Sequence, residues 1–115
     1  MVTVYKTNNK ASQSAIQYLQ TNHIEHQVKS YRKNISYSLI MSLFEKSIDG
    51  IDPLLSKKSD CYNEVKEKIY DLKLSDLISF ILKNPTVIKT PIMVDDRHLV
   101  VGYSKDSIRV FFPRN

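Results

Sequence analysis

The length and composition of the chain predict a single core and no membrane span: it has 115 residues, 42% of them hydrophobic, and no apolar run approaches the roughly 18 residues that cross a bilayer. The single cysteine, Cys61, excludes an intramolecular disulfide and a cysteine-based zinc site. The net charge of +5 favours an acidic partner, but the lysines and arginines are too scattered to predict sequence-specific reading of DNA.

The first 30 residues carry the pattern of a strand, a helix and a second strand. Residues 2–5 are β-branched or aromatic and predict a short buried strand. The next dozen residues predict a helix, because one face repeats at 3.6-residue spacing through Ala11, Ala15, Ile16, Leu19 and His23. Residues 24–29 alternate in the period of two that predicts a half-buried strand. Such a unit implies a right-handed crossover and parallel strands.

Three helical stripes follow the second strand. The first begins after an N-cap at Ser36 or Ser38 and is expected to end near Gly50. We expect Gly50 to be a C-terminal cap with positive φ. The other two stripes predict helices at residues 62–72 and 74–82, and the second of these has the clearest spacing in the chain.

The last third of the sequence predicts a β-hairpin and a helix. Residues 87–94 predict a strand, residues 95–96 a turn, and residues 99–101 the returning strand. Gly102 ends this pattern and is expected to have a structural role. Ser104 can cap a last helix. Its inward face is expected to be Ile108, Phe111 and Phe112, and its end Pro113.

The order of these elements predicts an α/β fold of the thioredoxin-like sandwich type. The order is β-α-β, then a helical insertion at about residues 36–72, then β-β-α, all in one domain over residues 1–115. The apolar residues can be assigned to one core, so we expect a monomer. The N-terminus lacks a leader pattern, so we expect a cytoplasmic protein with no membrane contact.

Short stretches occur along the whole chain in a defined order: MVTVY at 1–5, IDG at 48–50, LLSKKS at 54–59, NP at 84–85, TPIMVD at 90–95, VGY at 101–103, SIR at 107–109 and FFPR at 111–114. Together they resemble the Spx family of arsenate reductase-related bacterial transcription regulators. Members of that family bind the C-terminal domain of the RNA polymerase α subunit and redirect polymerase during thiol stress. The resemblance implies the same partner here.

The family commonly carries a Cys-x-x-Cys redox switch at the first strand–helix corner, where residues 8–12 read NNKAS. By the resemblance, Ser12 takes the place of the second cysteine, and Asn9 or Lys10 that of the first. Because a serine hydroxyl has a far higher pKa than a thiol and forms no disulfide, we expect a redox-insensitive corner. Ser12 can instead cap the helix, whose N-terminus still favours weak binding of an anion or acidic side chain.

The resemblance also bears on catalysis. Pro91 matches the cis-proline that thioredoxin-like proteins place opposite the corner, so we expect a cis bond after Thr90. Thr90 stands where the reductases carry an arginine, and the nucleophilic cysteine is missing. We therefore expect no enzyme and no cofactor. The three histidines lack the spacing of a helical metal pair, so we expect no metal site.

The resemblance implies a partner surface in two parts, the corner and the segment around a glycine that touches the α subunit in the regulators. Gly50 matches that glycine, and Lys58 stands where the regulators carry an arginine. Glu45 stands where they carry an arginine near promoter DNA, so we expect DNA contact to be only indirect or through the polymerase complex. The expected partner-binding residues are Asn9, Lys10, Ser12, Glu45, Gly50, Lys57 and Lys58.

Two alternatives remain open at this stage. One is an arsenate reductase-like or thiol oxidoreductase enzyme, which would need a nucleophile at the corner. The other is an interaction module whose partner is not polymerase, because a fold resemblance does not by itself transmit a partner. Binding to the α-subunit domain, and turnover of arsenate or a disulfide, distinguish the three.

Overall fold

Four strands form one mixed sheet: β1 (Val2–Lys6), β2 (His26–Ser30), β3 (Ile92–Val94) and β4 (Leu99–Val101). Their order is β2-β1-β3-β4 in a computed structural model that describes residues 1–112. β1 pairs in parallel with β2 and antiparallel with β3, which pairs antiparallel with β4. The predicted parallel pair and the predicted hairpin are confirmed. The sheet belongs to a compact unit made of Met1–Asn34 and the chain from Thr90 onward, and Ile35–Lys89 form a second unit.

The core of the first unit lies between the sheet and helix α1 (Lys10–Thr21). Val2 and Val4 alternate with less buried residues along β1, so one face of this strand is apolar. Ala15 and Leu19, four residues apart on α1, are fully buried against it. The buried cluster is completed by Ile24, Met93, Val100, Ile108 and Phe111.

The chain after β4 contributes the last core residues of this unit. Ser104 is the N-cap of α6 (Lys105–Ile108), as expected, and a 3₁₀ turn follows at Arg109–Phe111. The prediction that Phe112 points inward is wrong. The backbone of Phe112 is extended after the 3₁₀ turn, and its side chain is 45% exposed. The Phe112 ring packs edge-on against the Tyr18 ring, with 6.2 Å between the ring centroids. Pro113, expected to end this helix, lies outside the described residues.

The second unit is helical. Its helices are α3 (Tyr37–Lys46), α4 (Asp60–Val65) and α5 (Leu74–Lys83), with 3₁₀ turns at Asp52–Leu54, Ile69–Asp71 and Pro85–Val87. α3 begins at the N-cap Ser36, whose hydroxyl accepts the Leu39 N–H at 3.1 Å. α3 packs against α5, so α5 belongs with this unit. The unit therefore extends to Lys89, beyond the predicted end of the insertion near residue 72.

Two predicted helices are shorter in the structure. α3 ends at Lys46 because Ser47 is already extended, so the prediction that this helix runs to Gly50 with Gly50 as its cap is wrong. The helix predicted at 62–72 is interrupted after Val65. There the N–H of Lys68 donates to the Val65 carbonyl and that of Asp71 to the Lys68 carbonyl. This i to i+3 spacing is that of a 3₁₀ helix.

The strand predicted at 87–94 is also shorter, and one helix was not predicted. β3 starts only at Ile92, because Pro91 has no N–H to donate and Pro85–Val87 form a 3₁₀ turn. Helix α2 (Tyr31–Asn34) follows β2 directly, with Tyr31 buried. Among residues 1–112, no helix has the length and hydrophobicity to cross a bilayer.

Candidate functional site

The first strand–helix corner is closed by an asparagine. Asn9 is the N-cap of α1, with an extended backbone, and its Oδ1 accepts the backbone N–H of Ser12 at 2.8 Å. This hydrogen bond satisfies one of the free N–H groups of the first turn. The expectation that Ser12 caps the helix is therefore wrong: Ser12 lies one turn inside, at the third helical position.

Ser12 links the helix back to the end of the strand. It is only 1% exposed, and its Oγ accepts the backbone N–H of Thr7 at 3.2 Å. Thr7 directly follows β1, so this hydrogen bond fixes the turn between β1 and α1. The buried hydroxyl is thus engaged in holding the corner together.

Thr90 faces the corner from the loop before β3. The Thr90–Pro91 peptide bond is cis. The Thr90 Oγ1 lies 2.7 Å from the Thr7 Oγ1, and the Asn9 Nδ2 donates to the Thr90 Oγ1 at 3.0 Å and to its carbonyl at 3.2 Å. We call Thr7, Asn9, Ser12 and Thr90 the corner network.

Gly102 holds the other side of the proline loop. Its φ is +80°, which L side chains rarely adopt, and its N–H donates to the Pro91 carbonyl at 2.8 Å. The glycine thus allows the chain to turn after β4 while its backbone supports Pro91. This arrangement is structural and adds no reactive group.

The corner network consists only of neutral hydroxyl and amide groups. Serine and threonine hydroxyls become nucleophiles when a base removes their proton, and none of the four side chains is a base. Lys10, the first residue of α1, is exposed and is the one charged side chain between Thr7 and Ser12. The corner network can therefore hold shape and offer hydrogen bonds, and none of its four side chains can remove a proton from a hydroxyl.

The predicted residues around Gly50 lie in the second unit. Gly50 is exposed with a φ of +79°, and a Cβ placed on it would meet no atom within 4 Å. The Ser47 hydroxyl donates to the Gly50 carbonyl and so fixes the loop that follows α3. Glu45, in the last turn of α3, and Ile48, 97% exposed, are on the surface of the same segment.

Lys57 is held by an ion pair. Its Nζ lies 3.0 Å from the Asp52 Oδ2, and the Tyr70 hydroxyl donates to the Asp52 Oδ1. The Tyr70 hydrogen bond and then the Lys57 ammonium keep the pKa of Asp52 below its ordinary value, and Asp52 in turn raises the pKa of Lys57. Part of the Lys57 charge is therefore neutralised at this surface. Lys58 is exposed, and no described residue forms an ion pair with it.

The turn that carries both lysines is tied to the chain before Thr90. The N–H of Ser56 donates to the Val87 carbonyl at 2.7 Å, and that of Lys89 to the Leu54 carbonyl at 2.8 Å. Between them Leu55 and Ile88, both buried, form an antiparallel bridge. These two hydrogen bonds, which make up the bridge, fix the backbone that carries Lys57 and Lys58.

Cys61 lies near the start of α4. Its Sγ is 3.3 Å from the Ser59 Oγ and 3.5 Å from the Thr86 Oγ1. Burial raises the pKa of the thiol, but these hydroxyls and nearby backbone N–H groups outweigh it and leave the pKa below its ordinary value. The chain has no second cysteine with which this thiol could form an internal disulfide.

The structure joins some predicted residues and reveals others. It brings Asn9 and Ser12 together, and it places Glu45, Gly50, Lys57 and Lys58 on a different unit from them. Three partners were not predicted: Thr7, Asp52 and Tyr70. Thr7 had a weak signal, its place just after the strand, whereas Tyr70 is separated from Asp52 by 18 positions with no pattern between them.

Comparison with known proteins identifies the family. The model of the ArsC family matches residues 4–111. The global transcriptional regulator Spx of Staphylococcus epidermidis is 33% identical over 99% of this chain and 88% of its own length, and that of Lactiplantibacillus plantarum is 31% identical over the same shares. A solved Bacteroides fragilis structure, described as ArsC family related, has a TM-score of 0.82 at 18% identity and covers 96% of this chain and 97% of its own. Solved structures of this kind confirm the predicted thioredoxin-like α/β class. The chain therefore belongs to the ArsC family and is related to the Spx regulators over nearly its whole length.

Proposed function

We propose that this protein is a non-catalytic, Spx-like transcription regulator that binds the C-terminal domain of the RNA polymerase α subunit in the cytoplasm, irrespective of redox state. The observation that carries the proposal is the corner network. Asn9 and Ser12 occupy the corner with neutral hydrogen bonds, and the only thiol of the chain lies on α4 in the other unit. Without a pair of thiols there is no disulfide whose formation could change the shape of the corner.

The relatives support the choice of partner. The Staphylococcus and Lactiplantibacillus relatives are named global transcriptional regulators, and this chain aligns with 88% of their length. The chain keeps an exposed glycine at position 50, and the space beside its Cα is open. A partner can therefore bring its backbone close to this point, which a side chain would prevent.

A calorimetric titration with the isolated C-terminal domain of the α subunit tests the proposal. We expect the same dissociation constant, within about twofold, in excess dithiothreitol and after treatment with diamide, because the corner holds no oxidisable group. Cys61→Ser should give the same value in both conditions. A difference between the two conditions in the Cys61→Ser variant, or no binding in either condition, would reject the proposal.

Gly50 provides the matched variants. Any L residue at a φ of +79° is strained, so Gly50→Arg and Gly50→Ala share a backbone cost of about 1 kcal/mol and differ mainly in side-chain bulk. We expect Gly50→Arg to weaken binding by at least about tenfold and Gly50→Ala by much less. Circular dichroism of both variants checks that they are folded. Equal binding by the two variants would place the partner elsewhere.

An enzyme assay tests the alternative that the protein is a reductase. We expect no turnover of arsenate or of a small disulfide above the buffer rate, since the corner network contains neither a thiol nor a base. Turnover that is lost in Ser12→Ala but kept in Cys61→Ser would show that the corner is catalytic.

A further inference from the structure

The net positive charge of this protein is concentrated at its N-terminal end, because acidic side chains are scarce there while cationic ones are spread evenly along the chain. Residues 1–34 contain five cationic side chains and one acidic side chain, Glu25, and so carry four of the five net charges of the chain. The cationic residues are Lys6, Lys10, Lys29, Arg32 and Lys33. In the rest of the chain, acidic and basic residues nearly balance.

The parallel pairing of β1 and β2 gathers this charge at one edge of the sheet. Lys6 is the last residue of β1 and lies in register with Ser30, the last residue of β2, while Lys29 lies beside Tyr5. Glu25 precedes β2, and its carbonyl accepts the N–H of Val2 at the start of β1. At about 3.3 Å per residue, Glu25 is more than 10 Å away along the strands. The carboxyl ends of these strands therefore carry cations without the acid, with Lys6 and Lys29 on opposite faces of the sheet because successive side chains of a strand alternate.

Helix α2 adds two more cations at the same edge. It follows β2 directly, and the Ser30 hydroxyl accepts the N–H of Lys33 at 3.3 Å. Tyr31 is 1% exposed and anchors the helix, which leaves Arg32 and Lys33 exposed. Lys10 completes the group, because α1 starts four residues after Lys6 on the chain that leaves this edge. We call these five residues the basic edge.

The cations of the basic edge are not neutralised within the described part of the chain. The ion pairs of Lys57 with Asp52 and of His98 with Asp95 include no residue of the basic edge, and none of its five cations forms an ion pair with a residue among 1–112. The exposed amides of Asn8 and Gln13 flank Lys10. Lysine, arginine and amide side chains are the groups that proteins use to bind phosphate oxygens of DNA.

We propose that the basic edge binds the phosphate backbone of duplex DNA without sequence preference. A duplex offers a closely spaced line of negative charge, which attracts a group of unpaired cations at the end of the sheet. Proteins specific for single strands add exposed aromatic rings on which bases stack. Here Tyr5 and Tyr18 are half-buried and Tyr31 is buried, so residues 1–34 offer no exposed tyrosine, phenylalanine or tryptophan ring. This direct contact differs from the expectation of only indirect DNA contact, which rested on Glu45, a residue of α3 outside the basic edge. The binding does not depend on the polymerase proposal.

Fluorescence anisotropy with a labelled duplex of mixed sequence, measured over a series of KCl concentrations, tests this inference. Engagement of all five cations gives a slope of log K against log salt of about −4.5, since each phosphate contact contributes about −0.9. We expect Lys29→Gln/Arg32→Gln/Lys33→Gln to weaken binding more than tenfold in low salt and to reduce the slope by about 2.7. A second duplex of unrelated sequence should bind equally.

A matched variant separates the surface from net charge. Lys66, Lys68 and Lys73 are exposed in the second unit, among Glu64, Glu67 and Asp71, so their replacement by glutamine removes the same charge from a mixed surface. We expect this control to bind DNA within about twofold of the wild type. Three results would each overturn the proposal. They are an equal loss of DNA affinity in the two triple variants, no salt-dependent binding of DNA by the wild type, and tighter binding of poly-glutamate than of DNA. The Lys29→Gln/Arg32→Gln/Lys33→Gln variant is also titrated with the α-subunit domain. If it still binds that domain, a failure of the DNA proposal leaves the polymerase proposal intact.

Discussion

The amide of Asn9 bridges two parts of the chain that are far apart in sequence: its Oδ1 caps α1, and its Nδ2 donates to both the carbonyl and the hydroxyl of Thr90. One side chain thus positions both the start of the helix and the loop before β3. Because both contacts are made by neutral groups, we expect the shape of the corner to be unchanged by oxidation and by pH near neutrality.

Replacing Asn9 should separate its two roles. Asn9→Ala removes the cap and both hydrogen bonds to Thr90, and we expect a loss of about 1–2 kcal/mol in the free energy of unfolding, measured by urea titration. Asn9→Asp keeps an acceptor for the Ser12 N–H and loses only the donor, so its loss should be smaller. Equal losses in both variants would mean that the cap contributes nothing.

Ser12→Ala should destabilise the fold through Thr7. The variant leaves the Thr7 N–H without the acceptor it has at 3.2 Å, and an unsatisfied buried donor costs about 1–3 kcal/mol. Ser14→Ala makes the same chemical change at a half-buried position of the same helix, and we expect it to be neutral or slightly stabilising. Urea titration compares the two. If Ser14→Ala costs as much as Ser12→Ala, the hydrogen bond is not the cause.

A thiol pair can be introduced at the corner. Asn9→Cys/Ser12→Cys, made together with Cys61→Ser, places two cysteines at the N-cap and third position of α1, where the helix N-terminus favours a thiolate. Because position 12 is only 1% exposed, the thiol reagent is added after unfolding, and we expect both thiols to react after prior reduction and neither after prior oxidation by diamide. Each single-cysteine variant should stay reactive after the same treatment, and persistence of free thiols in the double variant would exclude an internal disulfide at this spacing.

The β3–β4 turn should contribute to stability in a pH-dependent way. Burial of Asp95 disfavours its charge, but the backbone N–H groups of Arg97 and His98 and the His98 ring keep the pKa of the carboxyl below its ordinary value. A lowered folded-state pKa stabilises the protein above the unfolded value of about 4, and this stabilisation is lost as pH falls through the folded value.

Asp95→Asn keeps an oxygen for the two N–H groups and removes the charge. The variant should therefore lose less stability than the wild type when unfolding is compared at about pH 6 and pH 3. Asp96→Asn, at an exposed position of the same turn, should keep the wild-type pH dependence. If Asp96→Asn reduces the pH dependence of the unfolding free energy as much as Asp95→Asn does, Asp95 is not its source.

Alanine substitutions should cost much more unfolding free energy at core positions than at loop positions. Leu19 is fully buried among Val2, Val4 and Met93, so Leu19→Ala should cost about 2–5 kcal/mol in unfolding free energy. Ile48→Ala removes a side chain that is 97% exposed and should change stability by less than about 0.5 kcal/mol. A large loss in Ile48→Ala would show that this loop is packed against something in solution.

The spacing of apolar residues predicted correctly those helices and strands in which the apolar residues are buried along one face. α5 was predicted almost to its ends because Leu77, Ile78 and Ile81 repeat at helical spacing and are all buried. The region 62–72 has a similar apolar repeat, but only Tyr62 and Ile69 are buried, and the charged residues between them form a tight turn instead. Spacing alone does not show which apolar residues reach the core.

The candidate site was less predictable, because its hydrogen bonds join distant residues. Only Ser12 was predicted as a cap, whereas Asn9 caps α1 and also donates to Thr90, which lies 81 positions away. The pairing of Lys57 with Asp52 is local, but the role of Tyr70 depends on the interruption of the predicted helix at 62–72. The family resemblance therefore supplied the candidate residues, and the long-range contacts, including those of Tyr70, became visible only in the structure.

The bridge between Leu55 and Ile88 brings the two ends of a long segment side by side. Everything between these residues, including α4 and α5, leaves and returns at one point of the backbone. A segment anchored in this way can gain, lose or exchange residues without changing the path of the chain outside it. The stretch enclosed by the bridge is accordingly where we expect members of this family to diverge most in length.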